Sequence, residues 1–199
     1  RRQLAGTGTQ TAGLAIAGGP PSIANVEEDN GDAWSEETDI PQATQQMAAA
    51  GTQTSSLAFG GQVVPPFNDI QNETYEYDGS SWTNGGAMGT GRYNLAGCGT
   101  QTAGLATGGT TVNPSPPPNF TGRDLTEEYG GTSWTSGGTY PISVTGVRTA
   151  GTQTAALASG GSQAGAWIVS TVNEYNGSSW TAGGSLSQQN ESGATSGVQ

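Results

Sequence analysis

The side chains of this chain that could do acid–base chemistry are carboxylates. Its 199 residues include sixteen Asp and Glu against five Arg, with no Lys and no His. Glycoside hydrolysis needs two carboxylates roughly 5 to 10 Å apart, and adjacent acids occur in pairs such as Glu27 with Glu28 and Glu127 with Glu128. These pairs recur on predicted strand surfaces, and no catalytic motif surrounds them. We therefore predict no catalytic residue and no enzyme activity. A glycan-active hydrolase with its site among these acids stays open as the alternative.

The charge balance narrows the range of partners. The formal net charge is −11, and a nucleic-acid-binding surface needs a basic footprint, so nucleic acid is not an expected partner. No run of about 18 apolar residues occurs, and no membrane span is predicted. The absence of His removes the commonest metal ligand, and no metal or cofactor is predicted. The acidic turn at residues 29–32 is the one place where a Ca²⁺ site could form.

Three aromatic residues fall in segments of variable length and could contact a ligand. Phe67 and Phe120 each follow a proline-rich run, and prolines lower the entropy cost of presenting such a side chain. Trp167 also lies in a variable segment, outside the repeat described below. We predict Phe67, Phe120 and Trp167 as binding candidates. The other interpretation is that these segments are solvated loops covering strand edges.

Four Asn residues begin the sequence Asn-x-Ser/Thr, the acceptor of N-linked glycans in secreted proteins. They are Asn72, Asn119, Asn176 and Asn190. Such matches also arise by chance in a chain rich in Ser and Thr. Glycosylation is expected only if a glycosylating cell secretes the chain.

A repeat carries all of these side chains. Gly-Thr-Gln-Thr stands at residues 8–11, 51–54, 99–102 and 151–154, followed each time by Leu-Ala and a Gly pair. A Trp precedes each later copy by 17 positions, as Trp34 precedes Gly51. The interval from a copy to its own Trp varies between 26 and 35 positions. Constant spacing indicates the packed scaffold, whereas variable spacing indicates surface loops.

The runs within each unit predict short strands. Glycine is too dense for a helix, at a cost of about 1 kcal/mol per Gly relative to Ala, whereas two runs joined by a Thr-Gln turn suit a hairpin. A third run ends in Asp-Gly, Gly-Gly or Asn-Gly, which supply the positive φ of a hairpin turn. Cys98, the only cysteine, is predicted to be a small core residue. The four repeat-phase tryptophans are predicted to fill the scaffold: Trp34, Trp82, Trp134 and Trp180.

Four strands per unit, a Gly pair, a Tyr five positions before a Trp, and Arg92 ten positions after one resemble the kelch repeat. The resemblance spans the chain and implies an all-β, kelch-type β-propeller of four roughly 47-residue repeats, with four antiparallel strands per blade and a Trp between blades. The predicted units of this single domain, 1–199, are approximately 1–43, 44–91, 92–143 and 144–189. Residues 190–199 would be the first strand of a fifth unit or a closing strand, and their loss of the repeat Leu and Thr favours closure within the chain.

More narrowly, the Gly-Thr-Gln-Thr-Ala-Gly-Leu-Ala and Tyr-Asp-Gly-Ser-Ser-Trp-Thr segments are similar to kelch-like repeat proteins of aquatic bacteriophages. That resemblance implies a non-enzymatic structural or binding module of an extracellular assembly, such as a phage tail fibre or virion appendage. Its partners would be other subunits of a virion or filament and a surface glycan. Besides the hydrolase, a secreted filament subunit of a cell stays open as an alternative.

Overall fold

The computed structural model describes residues 1–65, 69–111, 122–163 and 167–190. Every regular element in these ranges is a β-strand, and the strands form four antiparallel sheets of four strands each. Each sheet is built from one continuous segment of chain. The expected all-β class with four antiparallel strands per sheet is confirmed. The described ranges contain no helix long and apolar enough to cross a membrane.

The strands follow the repeat in chain order. Sheet 1 contains β1 (Ala5–Thr9), β2 (Ala12–Gly18), β3 (Ile23–Asp29) and β4 (Trp34–Glu37). Sheet 2 begins with β5 (Ala48–Thr52) and β6 (Ser55–Phe59), continues through a separate hairpin of β7 (Gln62–Val63) and β8 (Asp69–Ile70), and ends with β9 (Thr74–Tyr77) and β10 (Trp82–Asn84). Sheet 3 contains β11 (Ala96–Thr100), β12 (Ala103–Thr107), β13 (Thr126–Tyr129) and β14 (Trp134–Ser136). Sheet 4 contains β15 (Arg148–Thr152), β16 (Ala155–Ser159), β19 (Thr171–Tyr175) and β20 (Trp180–Ser185), with a hairpin of β17 (Ser162–Gln163) and β18 (Trp167–Ile168) in between.

The Gly-Thr-Gln-Thr segment is the turn between the first and second strands of every sheet. Its glycine has a φ of +107° at Gly51, and a Cβ there would overlap the carbonyl oxygen of Ser55. The equivalent glycines of the other sheets have the same conformation. This turn therefore requires glycine, because a left-handed backbone and a close carbonyl leave no room for a side chain.

A side-chain oxygen caps the turn between the third and fourth strands. Oδ1 of Asp78 accepts the N–H groups of Ser80 (2.9 Å) and Ser81 (2.7 Å). These hydrogen bonds lower the pKa of the Asp78 carboxyl to about 2. Asn30 and Asn176 accept the equivalent pairs of N–H groups in sheets 1 and 4. The Asp-Gly and Asn-Gly dipeptides thus form the tight turns that the sequence predicts, with the Asp or Asn oxygen as cap and the glycine at positive φ.

In sheet 1 the two positions that a Gly pair fills after the second strand of sheet 2 are taken by Ala17 and Gly18. In sheet 2 the second glycine of the pair, Gly61, donates its N–H to the carbonyl of Arg92 (2.8 Å). In sheet 1 the equivalent bond runs from Gly18 to Thr44 (2.9 Å). Ala17, with a φ of +56°, therefore takes the place of the first glycine. Ala17 occupies this left-handed position at some cost, because a Cβ is disfavoured there, and the Gly pair of the sequence falls one residue later, at Gly18 and Gly19.

Small residues let neighbouring sheets approach closely. A Cβ added to Gly104 of sheet 3 would lie 2.6 Å from Cδ2 of Leu57 in sheet 2. A Cβ added to Gly97 would lie 2.6 Å from the ring of Phe59. Cys98 is buried on the other side of sheet 3, against sheet 4, and its burial raises the pKa of the thiol to about 11, as expected of a structural cysteine.

Adjacent sheets are joined by the glutamine of the Gly-Thr-Gln-Thr turn in the later sheet of each pair, here called the turn glutamine; the three turn glutamines are Gln53, Gln101 and Gln153. Nε2 of Gln101 in sheet 3 donates to the carbonyls of Ser56 (3.2 Å) and Tyr77 (2.6 Å) in sheet 2. Gln53 reaches two carbonyls of sheet 1 at 3.1 and 2.7 Å, and Gln153 reaches two of sheet 3 at 3.0 and 2.7 Å. Each turn glutamine therefore satisfies one carbonyl of the second strand and one of the third strand of the preceding sheet.

A tyrosine of the third strand makes another bond to the preceding sheet. The Tyr129 hydroxyl donates to Oε1 of Glu76, and the Tyr175 hydroxyl donates to Oε1 of Glu128. Burial, reinforced by these glutamates, raises the pKa of both tyrosines to about 12. Asp29 holds the corresponding position in sheet 1.

Three of the four repeat tryptophans lie at these interfaces. Trp82, Trp134 and Trp180 pack on the tyrosine of their own sheet with ring centroids 4.7, 5.1 and 4.8 Å apart. Their Nε1 atoms donate to the preceding sheet over 2.8 to 3.0 Å. Trp34 differs from the scaffold prediction, because no described sheet precedes sheet 1 and its side chain is 55% exposed.

The sheets follow one another in chain order. The N–H of Gln46 donates to the carbonyl of Gln3, that of Asn94 to Gln46, and that of Gly146 to Asn94, each over 2.9 Å. The first strands β1, β5, β11 and β15 pack in the same order. No comparable bond or packing joins β15 to β1 in the described ranges. Closure between these two strands, which the sequence favours, is therefore not observed there.

Replacing Gln101 with Ala removes the donor from two carbonyls at the interface of sheets 2 and 3. We expect the free energy of unfolding to fall by about 1 to 3 kcal/mol, measured by urea titration with Trp fluorescence. Gln10→Ala is the matched control, because Gln10 has the same place in its turn but is exposed and bonds to no other described residue. Its effect should stay within about 0.5 kcal/mol. Equal losses in the two variants would contradict the role of the turn glutamine.

The raised tyrosine pKa values predict a loss of stability at alkaline pH. An unfolded tyrosine ionises near pH 10, whereas Tyr129 and Tyr175 hold their protons to about pH 12. The folded state therefore binds more protons between these values, and stability falls as the pH rises through them. Guanidinium unfolding at steps from pH 8 to pH 12 measures the decline. The double variant Tyr129→Phe with Tyr175→Phe should show a shallower decline, and an unchanged slope would show that other groups cause it.

Candidate functional site

The links between the second and third strands carry most of the length variation of the repeat. In sheet 2 this link contains the β7–β8 hairpin, in which Gln62 pairs with Ile70. In sheet 4 it contains the β17–β18 hairpin, in which Gln163 pairs with Trp167. The links of all four sheets leave from the same end of the second strand, and they therefore lie at one edge of the array, here called the connector edge.

The links of sheets 1 and 2 are bonded to one another. The N–H of Ser22, in the link of sheet 1, donates to the carbonyl of Val64 in sheet 2 (2.8 Å). The N–H of Val64 donates in return to Oγ of Ser22 (2.9 Å), and that hydroxyl donates to the carbonyl of Gln62 (3.3 Å). This reciprocal pair holds the bases of two links together.

The predicted contact residues belong to this edge by sequence. Phe67 and Phe120 lie outside the described residues. Trp167 is described only for its backbone, which pairs in the β17–β18 hairpin. The structure therefore neither joins nor separates the three aromatic side chains, and their role stays a prediction.

A cleft of about 430 Å³ opens beside sheet 3. One wall is the start of β13 with the residues before it, and the other walls are the end of β14 and the segment that links sheet 2 to sheet 3. Two carboxylates and four hydroxyls line it: Asp124, Glu127, Thr90, Thr126, Ser136 and Thr139. The cleft therefore presents mainly hydrogen-bonding groups of neutral or negative charge.

One of the two cleft carboxylates, Glu127, belongs to a buried ion pair with Arg92, which does not line the cleft. Arg92 is fully buried and donates to Oε1 of Glu127 (2.8 Å) and to the carbonyls of Gly108 (2.7 Å) and Leu125 (3.1 Å). Burial lowers the pKa of the Arg92 guanidinium, while the charge of Glu127 opposes that shift. The other oxygen of Glu127 accepts the N–H of Gly89 over 2.7 Å. Both oxygens of Glu127 are thus occupied, and Arg92 positions the carboxylate rather than facing the cleft.

Asp124 is the carboxylate of the cleft that has no such partners. Its side chain is half-buried and makes no hydrogen bond or ion pair to another described residue. Its carbonyl accepts the N–H of Tyr140 over 2.8 Å, which fixes the backbone. Asp124 is therefore the acceptor that the cleft offers to a ligand, and no sequence motif marks it.

The predicted calcium turn and glycosylation sites have other roles in the fold. Oδ1 of Asp29 accepts the N–H of Gly31 (3.1 Å) and so shapes the turn at residues 29–32. The described ranges hold no group of three or more His, Cys, Asp or Glu that could bind a metal, and the Ca²⁺ site stays a prediction. Asn72 donates its amide to the carbonyl of Met88 (3.2 Å). Asn176 caps its turn as described above.

The other two sequon asparagines are Asn119 and Asn190. Asn190 is exposed and is the last described residue. Asn119 lies outside the described ranges. Glycosylation of the four sequons stays a prediction.

Comparison with known proteins identifies the fold but not an activity. No protein-family model matches the chain, and no curated protein matches it significantly. Among solved structures the chain is similar to the one titled "Structure of YjhT", with a TM-score of 0.75 at 13% sequence identity. The alignment covers 96% of this chain and 67% of that one. At this level of identity the likeness shows the fold alone, which is all-β and β-propeller-like.

Proposed function

We propose that the chain is a non-enzymatic structural and binding module of an extracellular assembly, such as a phage tail fibre or virion appendage. It contacts a surface glycan or a neighbouring subunit through the connector edge and the cleft beside sheet 3. The observation that carries this proposal is the difference between the roles of the repeated and the variable residues. The repeated Gln, Tyr, Glu and Trp side chains form hydrogen bonds between sheets. The variable links and the cleft are therefore the surfaces available to bind a ligand or a subunit.

The chemistry of the cleft favours a neutral, polyhydroxylated ligand. Asp124 can accept hydrogen bonds from sugar hydroxyls, and the four cleft hydroxyls can both donate and accept. An anionic ligand would face Asp124 and Glu127 and a chain of net charge −11. None of the described residues that line the cleft is a cation, and Arg92, which lies behind it, is already paired with Glu127. These features support an uncharged glycan over a phosphorylated or sulfated one.

The likeness of the repeat segments to phage kelch-like proteins supports the extracellular setting. A rigid array of sheets with a negatively charged surface suits an appendage, since surface charge of one sign limits non-specific association. The secreted filament of a cell is the competing setting. It predicts glycan mass on Asn72 or Asn119, which intact-protein mass spectrometry of the natural material would detect.

A glycan array probed with the purified chain tests the binding role. We expect binding of neutral oligosaccharides and a loss of about tenfold or more in affinity for Asp124→Asn, because the acceptor for two sugar hydroxyls is weakened. Glu36→Gln is the matched control, since Glu36 is an exposed carboxylate on β4, away from the cleft. Phe67→Ala, Phe120→Ala and Trp167→Ala test the connector edge. Absence of binding to any glycan or subunit surface would overturn the proposal.

A glycan-active hydrolase is the second candidate, and the presence of Asp124 and Glu127 in one cleft is the observation that favours it. Against it, both oxygens of Glu127 are held by Arg92 and Gly89. Asp124 is then the one cleft acid without a partner among the described residues, whereas hydrolysis needs two carboxylates. Incubation of each glycan bound on the array, followed by mass spectrometry, separates the two functions. We expect no products. Cleavage that is abolished by Asp124→Asn would establish the hydrolase instead.

A further inference from the structure

We propose that the outward face of sheet 4 is a docking surface for residues 191–199 of the same chain, which add to it as the first strand of a fifth unit. Here the sheet 4 face means Leu157 and Glu174 together with the carbonyls of Ala156 and Tyr175. The contact would repeat those between sheets 1 and 2, sheets 2 and 3, and sheets 3 and 4.

The sheet 4 face is the one face of its kind that no described sheet covers. The repeat leucines Leu14, Leu57 and Leu105 are 2, 0 and 0% exposed because the next sheet packs on them. Leu157 holds the same position in sheet 4 but is only half-buried. Glu174 is exposed, whereas the equivalent Glu76 and Glu128 are half-buried. Sheet 4 thus carries the apolar and polar features of an interface without its cover.

Two backbone acceptors on this face have equivalents that are occupied elsewhere. The carbonyls of Gly104 and Tyr129 in sheet 3 accept the side-chain amide of Gln153. The matching carbonyls in sheet 4 are those of Ala156 and Tyr175, which pair in the same register. No side-chain amide of a described residue reaches them. A turn glutamine one unit further on would complete the pattern.

Asn190, the last described residue, occupies the position that leads into the first strand of a next unit. The carbonyl of Asn190 accepts the N–H of Gly161 (2.8 Å), and its N–H donates to the carbonyl of Val169 (3.3 Å). Arg92 makes the same two bonds two units earlier. Its carbonyl accepts the N–H of Gly61 (2.8 Å), and its N–H donates to the carbonyl of Gln71 (3.1 Å). Thr44 and Val144 repeat them in the remaining units. Asn190 is therefore in register with the residue that leads into every later first strand.

The sequence beyond Asn190 keeps that register as far as a glutamine. Gln53, Gln101 and Gln153 each follow their leading residue by nine positions, and Gln199 follows Asn190 by nine. The intervening residues are mostly small, as in the other first strands, with Ala194 and Ser196 at the positions of Ala96 and Cys98. Residues 191–199 therefore have the length, the small residues and the glutamine of the other first strands, although Gly193 stands where Leu95 and Val147 supply an apolar side chain.

A second copy of the chain is the competing occupant, because sheet 1 also presents an uncovered face with an exposed Gln10 and Trp34. Its fit is poorer at one position. The tyrosine that would donate to Glu174 is replaced by Asp29 in sheet 1, so two carboxylates would meet where the other interfaces have a hydrogen bond. Residues 191–199 bring no tyrosine to Glu174 either, but they correspond to a first strand and not to the third strand that carries Asp29. The repulsion between two carboxylates therefore counts against the second copy alone.

Substitution of Gln199 tests the proposal in the full chain. We expect Gln199→Ala to raise the equilibrium constant for unfolding about tenfold in urea titrations, as the loss of a doubly bonded amide requires. Gln10→Ala is the control and should leave it unchanged. Truncation after Asn190 should also lower the hydrogen-exchange protection of the Gly161 amide by about tenfold or more, because its acceptor Asn190 is no longer held.

Two results would overturn the proposal. One is stability and Gly161 protection that are unchanged in both the Gln199→Ala and the truncated chain. The other is an oligomer, measured by size exclusion with light scattering, that dissociates in Gln10→Ala but not in Gln199→Ala. That second result would assign the sheet 4 face to another copy of the chain.

Discussion

The two hydrogen bonds of each turn glutamine are the interaction on which the rest of this structure depends. A single amide reaches both the second and the third strand of the preceding sheet, as Gln101 does with Ser56 and Tyr77. Both carbonyls lie at a sheet interface, where an unsatisfied acceptor costs about 1 to 3 kcal/mol. The glutamine therefore fixes the position of one sheet on the next, and the tyrosine and tryptophan bonds can form only in that arrangement.

The close approach of the sheets explains the composition. Large side chains cannot occupy both sides of an interface in which Gly97 and Gly104 meet Phe59 and Leu57. Little apolar area is then available per interface, and directed hydrogen bonds take a larger share of the specificity than in an ordinary sandwich. The abundance of Gly, Ala, Ser and Thr is thus a packing requirement rather than a sign of disorder.

The sequence predicted the features that local chemistry dictates and missed those that depend on distant contacts. The Gly-Thr-Gln-Thr turn and the Asp-Gly and Asn-Gly turns were predictable, since a positive φ or a capping oxygen is required within a few residues. The place of Ala17 was missed because an alanine took a glycine conformation. The exposure of Trp34 was missed because its burial would need a preceding sheet.

The candidate cleft was not predictable for the same reason. Asp124 carries no motif, and it meets Thr90 only because the segment from sheet 2 crosses sheet 3. The spacing of Arg92 from a tryptophan marks it as a repeat residue. Its ion pair with Glu127, 35 residues away, is a tertiary contact that this spacing does not predict. The aromatic candidates Phe67 and Phe120 lie outside the described residues, and Trp167 is placed only by its backbone.

The scaffold leaves function to residues that do not repeat, because a side chain used at every interface is not free to recognise a ligand. This account depends on the turn glutamines being protected donors at the interfaces and a free side chain in sheet 1. Amide hydrogen exchange of the glutamine side chains, measured by NMR, tests that claim most directly. The account predicts slow exchange for Gln53, Gln101 and Gln153 and rapid exchange for Gln10. Similar exchange rates in all four would contradict it.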